Sequence, residues 1–328
     1  MDQSALMSRA DDLSKLGLGF TAPNPIVGCI IVDSNNIVIA EEFHNGGAHA
    51  ESKAINSIKV IPPGATLFTT LEPCNHQGKT EPCSDLIIKS GIKNVIYSIT
   101  DPNSVAQGGS KKLREAGLNV TSGVLTEKVE FTNRHWLQKI KTGRPYFTWK
   151  IAMTLDGKIA ALDGSSKWIT SAESRDEVSK LRSQADAVLI GTGTALADNP
   201  SLNSHNPGSR QPLRIVMGKS EVPASHKLND ESAPTHFRKS QTSALIKLLS
   251  DLEINQVLVE SGPKLATALL KLGLIDEIVA YIAPSILGSG SSFVGDLDIS
   301  SLSERMDYQI HSFTQIGNDL RVTLIGRK

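Results

Sequence analysis

The chain has 328 residues, 34 Lys and Arg balanced by 34 Asp and Glu, and 39% hydrophobic residues. At roughly 100–200 residues per domain the length reads as two domains, and the apolar content excludes a disordered chain. The charge balance and a pI of about 7.1 argue against a dedicated nucleic-acid binder, which carries a basic excess. No run approaches the ~20 apolar residues of a membrane helix. The N-terminal stretch contains acids and lacks the apolar core of a secretory signal, and the three cysteines, Cys29, Cys74 and Cys83, are too few for a disulfide framework. The expectation is a cytoplasmic protein without nucleic-acid or membrane partners, whose cysteines serve packing, a metal or catalysis.

In chain order, residues 4–16 set Leu6, Ala10, Leu13 and Leu16 at helical spacing. Residues 26–32 are a continuous apolar run rich in β-branched residues, the pattern of a buried strand, and the Asp33-Ser34-Asn35-Asn36 turn returns the chain into a strand at 37–40. Helices are expected at 50–60, at 83–90 stopped by Gly91, and at 111–116 closed by Gly117; strands are expected at 66–70, 94–98 and 120–124. This alternation implies a sheet with helices packed on its faces. The polar, basic, breaker-rich Lys139-Ile140-Lys141-Thr142-Gly143-Arg144-Pro145 marks a boundary between domains 1–144 and 145–328. Beyond it, strands are expected at 146–152, 187–190, 213–217, 256–260 and 277–283, and helices at 172–184, 245–252 and 264–272. Thr170 and Glu173 stand in capping-box spacing before the first of these helices. Residues 219–243 read mostly as loop, and 308–325 as a hairpin broken at Gly317-Asn318.

The sharpest signal is His49-Ala50-Glu51 followed by Pro73-Cys74 and Pro82-Cys83. One imidazole and two thiolates make a zinc site with an open fourth position, as a hydrolytic metal requires. Zinc brings the pKa of a water toward neutrality, and a carboxylate must then carry protons from that water to a leaving amine. Glu51 lies two residues from His49, so the two do not share a helix face. The geometry expected is His49 in the first turn of a helix and Glu51 beside the metal but not bound to it. Cys83 opens a helix, whose dipole favours a thiolate. His-x-Glu with a later Pro-Cys and Cys is the signature of zinc-dependent nucleobase deaminases, although eight residues separate these two cysteines where the signature has two. The competing reading is a structural zinc site, which closes with a fourth Cys or His; His76 sits too near Cys74 for the usual ligand spacing. Cys29, inside an apolar strand, is expected to pack in the core.

In the second half, Val257-Leu258-Val259-Glu260-Ser261-Gly262-Pro263 followed by the 264–272 helix reads as strand, glycine turn and helix, a backbone that binds phosphate. Gly191-Thr192-Gly193 is not a dinucleotide fingerprint, because Leu196 replaces the third glycine and no acid follows about 20 residues on.

Three blocks of the first half, Thr21-Ala22-Pro23-Asn24-Pro25-Ile26-Val27-Gly28, His49-Ala50-Glu51 and the Glu72 to Cys83 stretch with its Gly78-Lys79-Thr80, resemble the bifunctional riboflavin-biosynthesis deaminase–reductases, as does Asp101-Pro102-Asn103. In that family a long inter-cysteine loop is normal. In the second half the resemblance continues through the Lys150 to Lys158 and Gly164 to Thr170 stretches, Leu181-Arg182, Asp198-Asn199-Pro200-Ser201-Leu202, Val259 to Leu265 and Asp276-Glu277, and so covers nearly the whole chain. It implies an α/β protein: a cytidine-deaminase-like α/β/α sandwich followed by a dihydrofolate-reductase-like α/β domain. The first would deaminate 2,5-diamino-6-(5-phosphoribosylamino)pyrimidin-4-one with one Zn2+. The second would reduce the ribosyl to a ribityl chain with NADPH. By motif, His49, Cys74 and Cys83 are the zinc ligands and Glu51 the proton shuttle; Asn24, His44, His76 and Lys79 meet the substrate. Ala152, Trp168, Thr194, Asp198, Gly262, Pro263, Lys264, Leu265, Ala266, Thr267 and Ala268 meet the cofactor. Ser166, Arg182, Leu202, His205 and Glu260 meet the reductase substrate. The resemblance also implies a homo-oligomer, dimer or tetramer, formed through the reductase half. Two positions depart from the family pattern. His205 stands where an arginine is usual, with Arg210 and Arg214 as compensating cations, and Gly218-Lys219 replaces a common Asp-Ser pair, making Lys219 a candidate for a cofactor phosphate.

Overall fold

The computed structural model describes residues 2–77, 81–205, 210–239 and 242–327. The chain divides into two compact units, Met1–Arg144 and Pro145–Lys328. Among the described residues no helix is long and apolar enough to cross a membrane.

The first unit runs α1 (Gln3–Ser14), β1 (Gly28–Val32), β2 (Val38–Phe43), α2 (Ala50–Asn56), β3 (Thr66–Leu71), α3 (Cys83–Ser90), β4 (Asn94–Ile99), α4 (Gly109–Glu115), β5 (Asn119–Ser122), α5 (Thr126–Thr132) and α6 (Arg134–Thr142). Its sheet has the order β2-β1-β3-β4-β5. β1 is antiparallel to both neighbours, while β3, β4 and β5 are parallel and joined by helical crossovers. Every residue of β1 is buried because both faces are covered. Ile30, Val32, Phe68 and Ile96 pack on Leu6, Met7 and Ala10 of α1. Cys29, Ile31, Leu67 and Val95 alternate to the other face, against Ala54, Ile87 and Leu113 of α2, α3 and α4. Gly28 is where α1 crosses closest, since a Cβ there would lie 1.9 Å from the Ala10 carbonyl oxygen.

Three expectations for this unit change. α1 begins earlier, because Asp2 caps it by accepting from the Ala5 amide at 2.6 Å. α2 ends at Asn56, ahead of Pro62-Pro63, which disfavour a continuing helix. The stretch read as a polar linker is the end of helix α6, stopped by Gly143 at φ +74°, and its Trp136 and Leu137 join the core.

The second unit contains β6 (Tyr146–Thr154), β7 (Lys158–Ala161), α7 (Ala172–Gln184), β8 (Ala187–Gly191), α8 (Thr192–Asp198), β9 (Leu213–Met217), β10 (Thr235–Arg238), α9 (Thr242–Asp251), β11 (Gln256–Val259), α10 (Pro263–Lys271), β12 (Glu277–Ala283), β13 (Gly290–Ser292), β14 (Tyr308–Ile316) and β15 (Asp319–Gly326). Eight strands form one sheet in the order β10-β9-β8-β11-β6-β12-β15-β14, and β7 pairs with β13 in a small ribbon. The strands from β10 to β12 are parallel; β15 runs antiparallel to β12 and β14. Phe147, Trp149, Ile215, Val257 and Val259 face Leu249 of α9 and Ala266 and Leu269 of α10. Val188, Ile190, Val216 and Leu258 face the opposite way, toward Leu181 of α7 and the buried Leu202 and Leu228.

Here the cap of α7 is Ser171, whose hydroxyl accepts from the Ser174 amide at 3.3 Å, in place of the Thr170–Glu173 box. The stretch read as loop at 219–243 holds edge strand β10, whose four residues are too few to show a period. Arg214 is not available to a ligand. It is fully buried in β9, donates to Asp230 Oδ1 at 2.9 Å and to the Asp230 carbonyl at 3.0 Å, and so holds the loop before β10 onto the sheet.

Candidate active sites

The first site lies where β3 and β4 end, the edge at which parallel α/β sheets present ligands. His49 is the N-cap of α2, Glu51 sits in that helix's first turn, Cys74 follows β3, and Cys83 is the first residue of α3. His49 Nδ1 is 3.3 Å from Cys83 Sγ and 3.5 Å from Cys74 Sγ, and all three donor atoms lie within 4.8 Å of one another. Tetrahedral zinc with bonds of about 2.0 Å to nitrogen and 2.3 Å to sulfur sets its N and S donors about 3.5 Å apart, so the donor set fits. Its electrostatics call for a cation. The Cys74 thiol is brought down to about 4 by hydrogen bonding from Cys83, while the hydrogen bond to Cys74 and burial push Cys83 up. Two adjacent thiolates without a metal repel, and a divalent ion between them removes that penalty.

Glu51 is 4% exposed. Its Oε1 accepts from the Thr69 hydroxyl at 3.3 Å and its Oε2 faces Cys83 Sγ at 3.7 Å. Burial raises its carboxyl above the usual range. Residues outside the expected set hold the loops in place. Buried Glu72 accepts from the Asp101 amide at 3.2 Å and the Ser110 amide at 2.9 Å, tying the end of β3 to the β4 loop and α4. Gly109 lets α4 approach so closely that a Cβ would lie 1.7 Å from the Pro73 carbonyl oxygen. Glu72 was legible as an acid directly before Pro73-Cys74, whereas the need for Gly109 arises only in the packing.

His44 is buried, its Nδ1 is 3.1 Å from the Ala48 carbonyl oxygen, and its ring stands edge-on to that of His49 at 5.5 Å. Burial lowers its pKa. His76 follows Cys74 with a buried Nδ1 that has no protein partner, and Asn24 is exposed in the turn before β1. Lys79 lies outside the described residues. Cys29 is fully buried in the core and burial pushes its thiol up.

In the second unit the chain visits β8, β9 and β10 outward on one side, then returns to place β11 between β8 and β6. Such a reversal in an open α/β sheet is where a ligand crevice forms, here beyond the ends of β8 and β11. The Gly262 amide donates across it to Thr194 Oγ1 at 3.2 Å. Gly262 caps α10 with no side-chain cap and Pro263 in its first turn, the kind of helix start at which backbone amides can meet an anion. Ala266 and Thr267 turn into the core, where Thr267 Oγ1 accepts from Gly295 at 2.8 Å; Lys264 and Ala268 are exposed. Ala152 stands near the end of β6, beside Tyr281 of β12. Trp168 is 69% exposed and is covered by the Arg175 guanidinium at 4.4 Å. Asp198 ends α8, with Lys167 at 3.8 Å.

Arg182 and Glu260 form a two-pronged pair, Nε to Oε1 at 2.6 Å and Nη2 to Oε2 at 2.9 Å. Burial alone would raise Glu260, but the Arg182 charge holds it below the usual range. Sequence reading passed over Lys150 as a contact, although a lysine in an otherwise apolar strand was visible. Burial lowers its pKa, opposed by Glu260. Leu202 has its side chain in the core at φ +57°. His205 is exposed, with its amide on Ser179 Oγ at 2.8 Å, and Ser166 is half-buried in the loop before Trp168.

The two sites define a zinc-type hydrolytic deaminase unit joined to an α/β unit with a dinucleotide crevice. Comparison with known proteins agrees. Residues 1–99 match the cytidine and deoxycytidylate deaminase zinc-binding region, and residues 145–322 match the RibD C-terminal domain. The chain is 41% identical over 317 residues to riboflavin biosynthesis protein RibD of Mycobacterium tuberculosis (94% of this chain, 93% of the relative). It is 42% identical over 341 residues to that of Aquifex aeolicus (96% of each). Its fold matches the Thermotoga maritima diaminohydroxyphosphoribosylaminopyrimidine deaminase/5-amino-6-(5-phosphoribosylamino)uracil reductase at a TM-score of 0.91 and 34% identity, covering 99% of this chain and 98% of that one. The chain belongs to the RibD family, the bifunctional deaminase–reductases of riboflavin biosynthesis, with a zinc-binding deaminase domain and an NADPH-dependent reductase domain.

Proposed function

We propose that residues 1–144 hydrolyse the 2-amino group of 2,5-diamino-6-(5-phosphoribosylamino)pyrimidin-4-one and that residues 145–328 then reduce the ribosyl of the uracil product to a ribityl chain. The observation that carries this reading is the buried Glu51 carboxylate set against three donors that fit zinc, with no fourth protein donor among the described residues closing the set. Zinc, held by His49, Cys74 and Cys83, supplies the Lewis acid that makes water a nucleophile at neutral pH. Glu51, with its raised proton affinity, takes a proton from the attacking water and returns it to the amine, which leaves as ammonia. Asn24, His44, His76 and Lys79 orient the pyrimidine and its phosphate.

NADPH supplies the hydride in the second unit. Lys150 gives a proton to the ribose ring oxygen as the bond from C1 to that oxygen opens. This leaves an iminium carbon, which the hydride that NADPH would supply could reduce to the ribityl amine. Arg182 and Glu260 hold the substrate beside it, with Ser166 and the Leu202 backbone. Trp168, Thr194, Asp198, Ala152 and the start of α10 hold the cofactor. The hairpin β14–β15 exposes Ile310, Phe313 and Leu320 at the sheet edge, which supports a homo-oligomer formed through this unit. The cytoplasm is the compartment in which reduced thiolate ligands persist. Incubating zinc-replete protein with the substrate and following mass tests the reading: a gain of about 1 Da without NADPH and about 2 Da more with it is expected. No gain in protein that carries zinc contradicts it.

A further inference from the structure

We propose that Asp319 is a positioning residue for the reductase, acting through helix α7 to set Trp168 for the cofactor and Arg182 for the substrate. The inference rests on the reading above that these two side chains meet those two ligands. Asp319 works at a distance, because β15 stands three strand spacings from β11 in the sheet, about 14 Å.

Asp319 is the first residue of β15, where the β14–β15 hairpin turns, and it is 3% exposed. Its Oδ2 accepts from the Ser171 amide at 2.8 Å and from the Ser174 hydroxyl at 2.6 Å. Ser171 is the N-cap of α7, so a buried carboxylate sits at the positive end of that helix and satisfies the amide of the cap residue itself. The turn follows closely: at Gly317, φ +57°, a Cβ would lie 3.0 Å from Ser171 Oγ. Two residues along β15, on the same side of the strand, Arg321 pairs with Glu177 Oε1 at 2.6 Å. Ser171, Ser174 and Glu177 recur every three residues, so one face of α7 is bound to the hairpin.

Helix α7 carries this placement to both ligands. Arg175, next to Ser174, donates to the Thr170 carbonyl at 2.8 Å and covers the Trp168 ring at 4.4 Å. Trp168 is exposed and takes its position from that loop and that cation, not from a core. In the last turn Arg182 meets Glu260 and donates to the Asn203 carbonyl at 3.4 Å. Between the two ends, Val178 and Leu181 rest on Val279 and Tyr281 of β12. Apolar contacts are non-directional and fix neither the rotation of the helix nor its slide along the sheet. The directional bonds at Asp319 do.

Steady-state reduction of the deaminated intermediate by the full chain, with NADPH and substrate varied in turn, tests this. Asp319→Ala is expected to raise both Michaelis constants about fivefold or more, toward the scale of a lost charge-assisted hydrogen bond. Its kcat should stay within about threefold, since the loss falls on binding. Asp319→Asn keeps an acceptor oxygen for Ser171 and Ser174 and should return both constants to within about twofold of the wild type. A purely structural role lowers kcat with the folded fraction and leaves both constants unmoved, and that result overturns the proposal. Ser174→Ala removes one bond and should raise both constants about two- to threefold; where Asp319→Ala does not fold, unmoved constants in Ser174→Ala overturn the proposal in its place. Trp168→Ala should raise the NADPH constant and Arg182→Gln the substrate constant. If they do while Asp319→Ala moves neither, the positioning role is wrong and the site reading stands. If they do not, the site reading is wrong and the proposal falls with it.

Discussion

At the deaminase site three donors and one carboxylate come from two helix starts and one strand end, are mostly buried, and stand within a few ångströms of one another before any ligand arrives. At the reductase site Lys150, Arg182 and Asp198 come from three different elements and Glu260 and Trp168 from two loops, and the charges are matched mainly against each other. A metal fixes both residue type and spacing, because only thiolates and imidazoles of set geometry serve. A dinucleotide is held largely by backbone amides and by side chains that substitute for one another. The first site is therefore rigid in its chemistry, and the second tolerates changes such as His205 and Lys219.

Glu51→Gln is the sharpest way to break the comparison. It should lower deamination by about 10³-fold, within the range for general acid–base groups, while zinc content and reduction of the deaminated intermediate are unchanged. Lys150→Gln should lower reduction by about 10²-fold and leave deamination intact. The wild-type reduction rate should carry an alkaline limb set by Lys150. Because burial lowers its pKa below 10.5, the protonated, active form is lost as pH rises through that lowered value, and a pH–rate profile flat up to pH 10.5 contradicts the assignment. Gly109→Ala forces α4 off Pro73 and should reduce stability by about 1–3 kcal/mol, seen in denaturant melts with a loss of retained zinc. Arg175→Ala removes the cation stacked on Trp168 and should weaken NADPH only about two- to fivefold by titration.

How much of this was legible follows the same division. His49, Glu51, Cys74 and Cys83 announce themselves by type and spacing, and the alternation of apolar runs gave the sheet–helix layering of both units. Residues whose role comes from packing were silent. Gly109 reads as one glycine among 26 until α4 meets Pro73. Arg214 looked like a candidate for phosphate and is instead buried in β9 and bound to Asp230. The end of helix α6 passed for a linker because its lysines and terminal glycine are linker residues by composition; only the burial of Trp136 and Leu137 upstream reveals the helix's inner face.

The central claim is that two separable chemistries act in sequence on one chain. Mixing Glu51→Gln protein with Lys150→Gln protein, in the presence of substrate and NADPH, tests it most directly by mass spectrometry. Alone, the first should leave the substrate unchanged and the second should stop after a gain of about 1 Da; together they should deliver the full gain of about 3 Da. A mixture that stalls at 1 Da, or a Glu51→Gln protein that gains 2 Da without prior deamination, would contradict it.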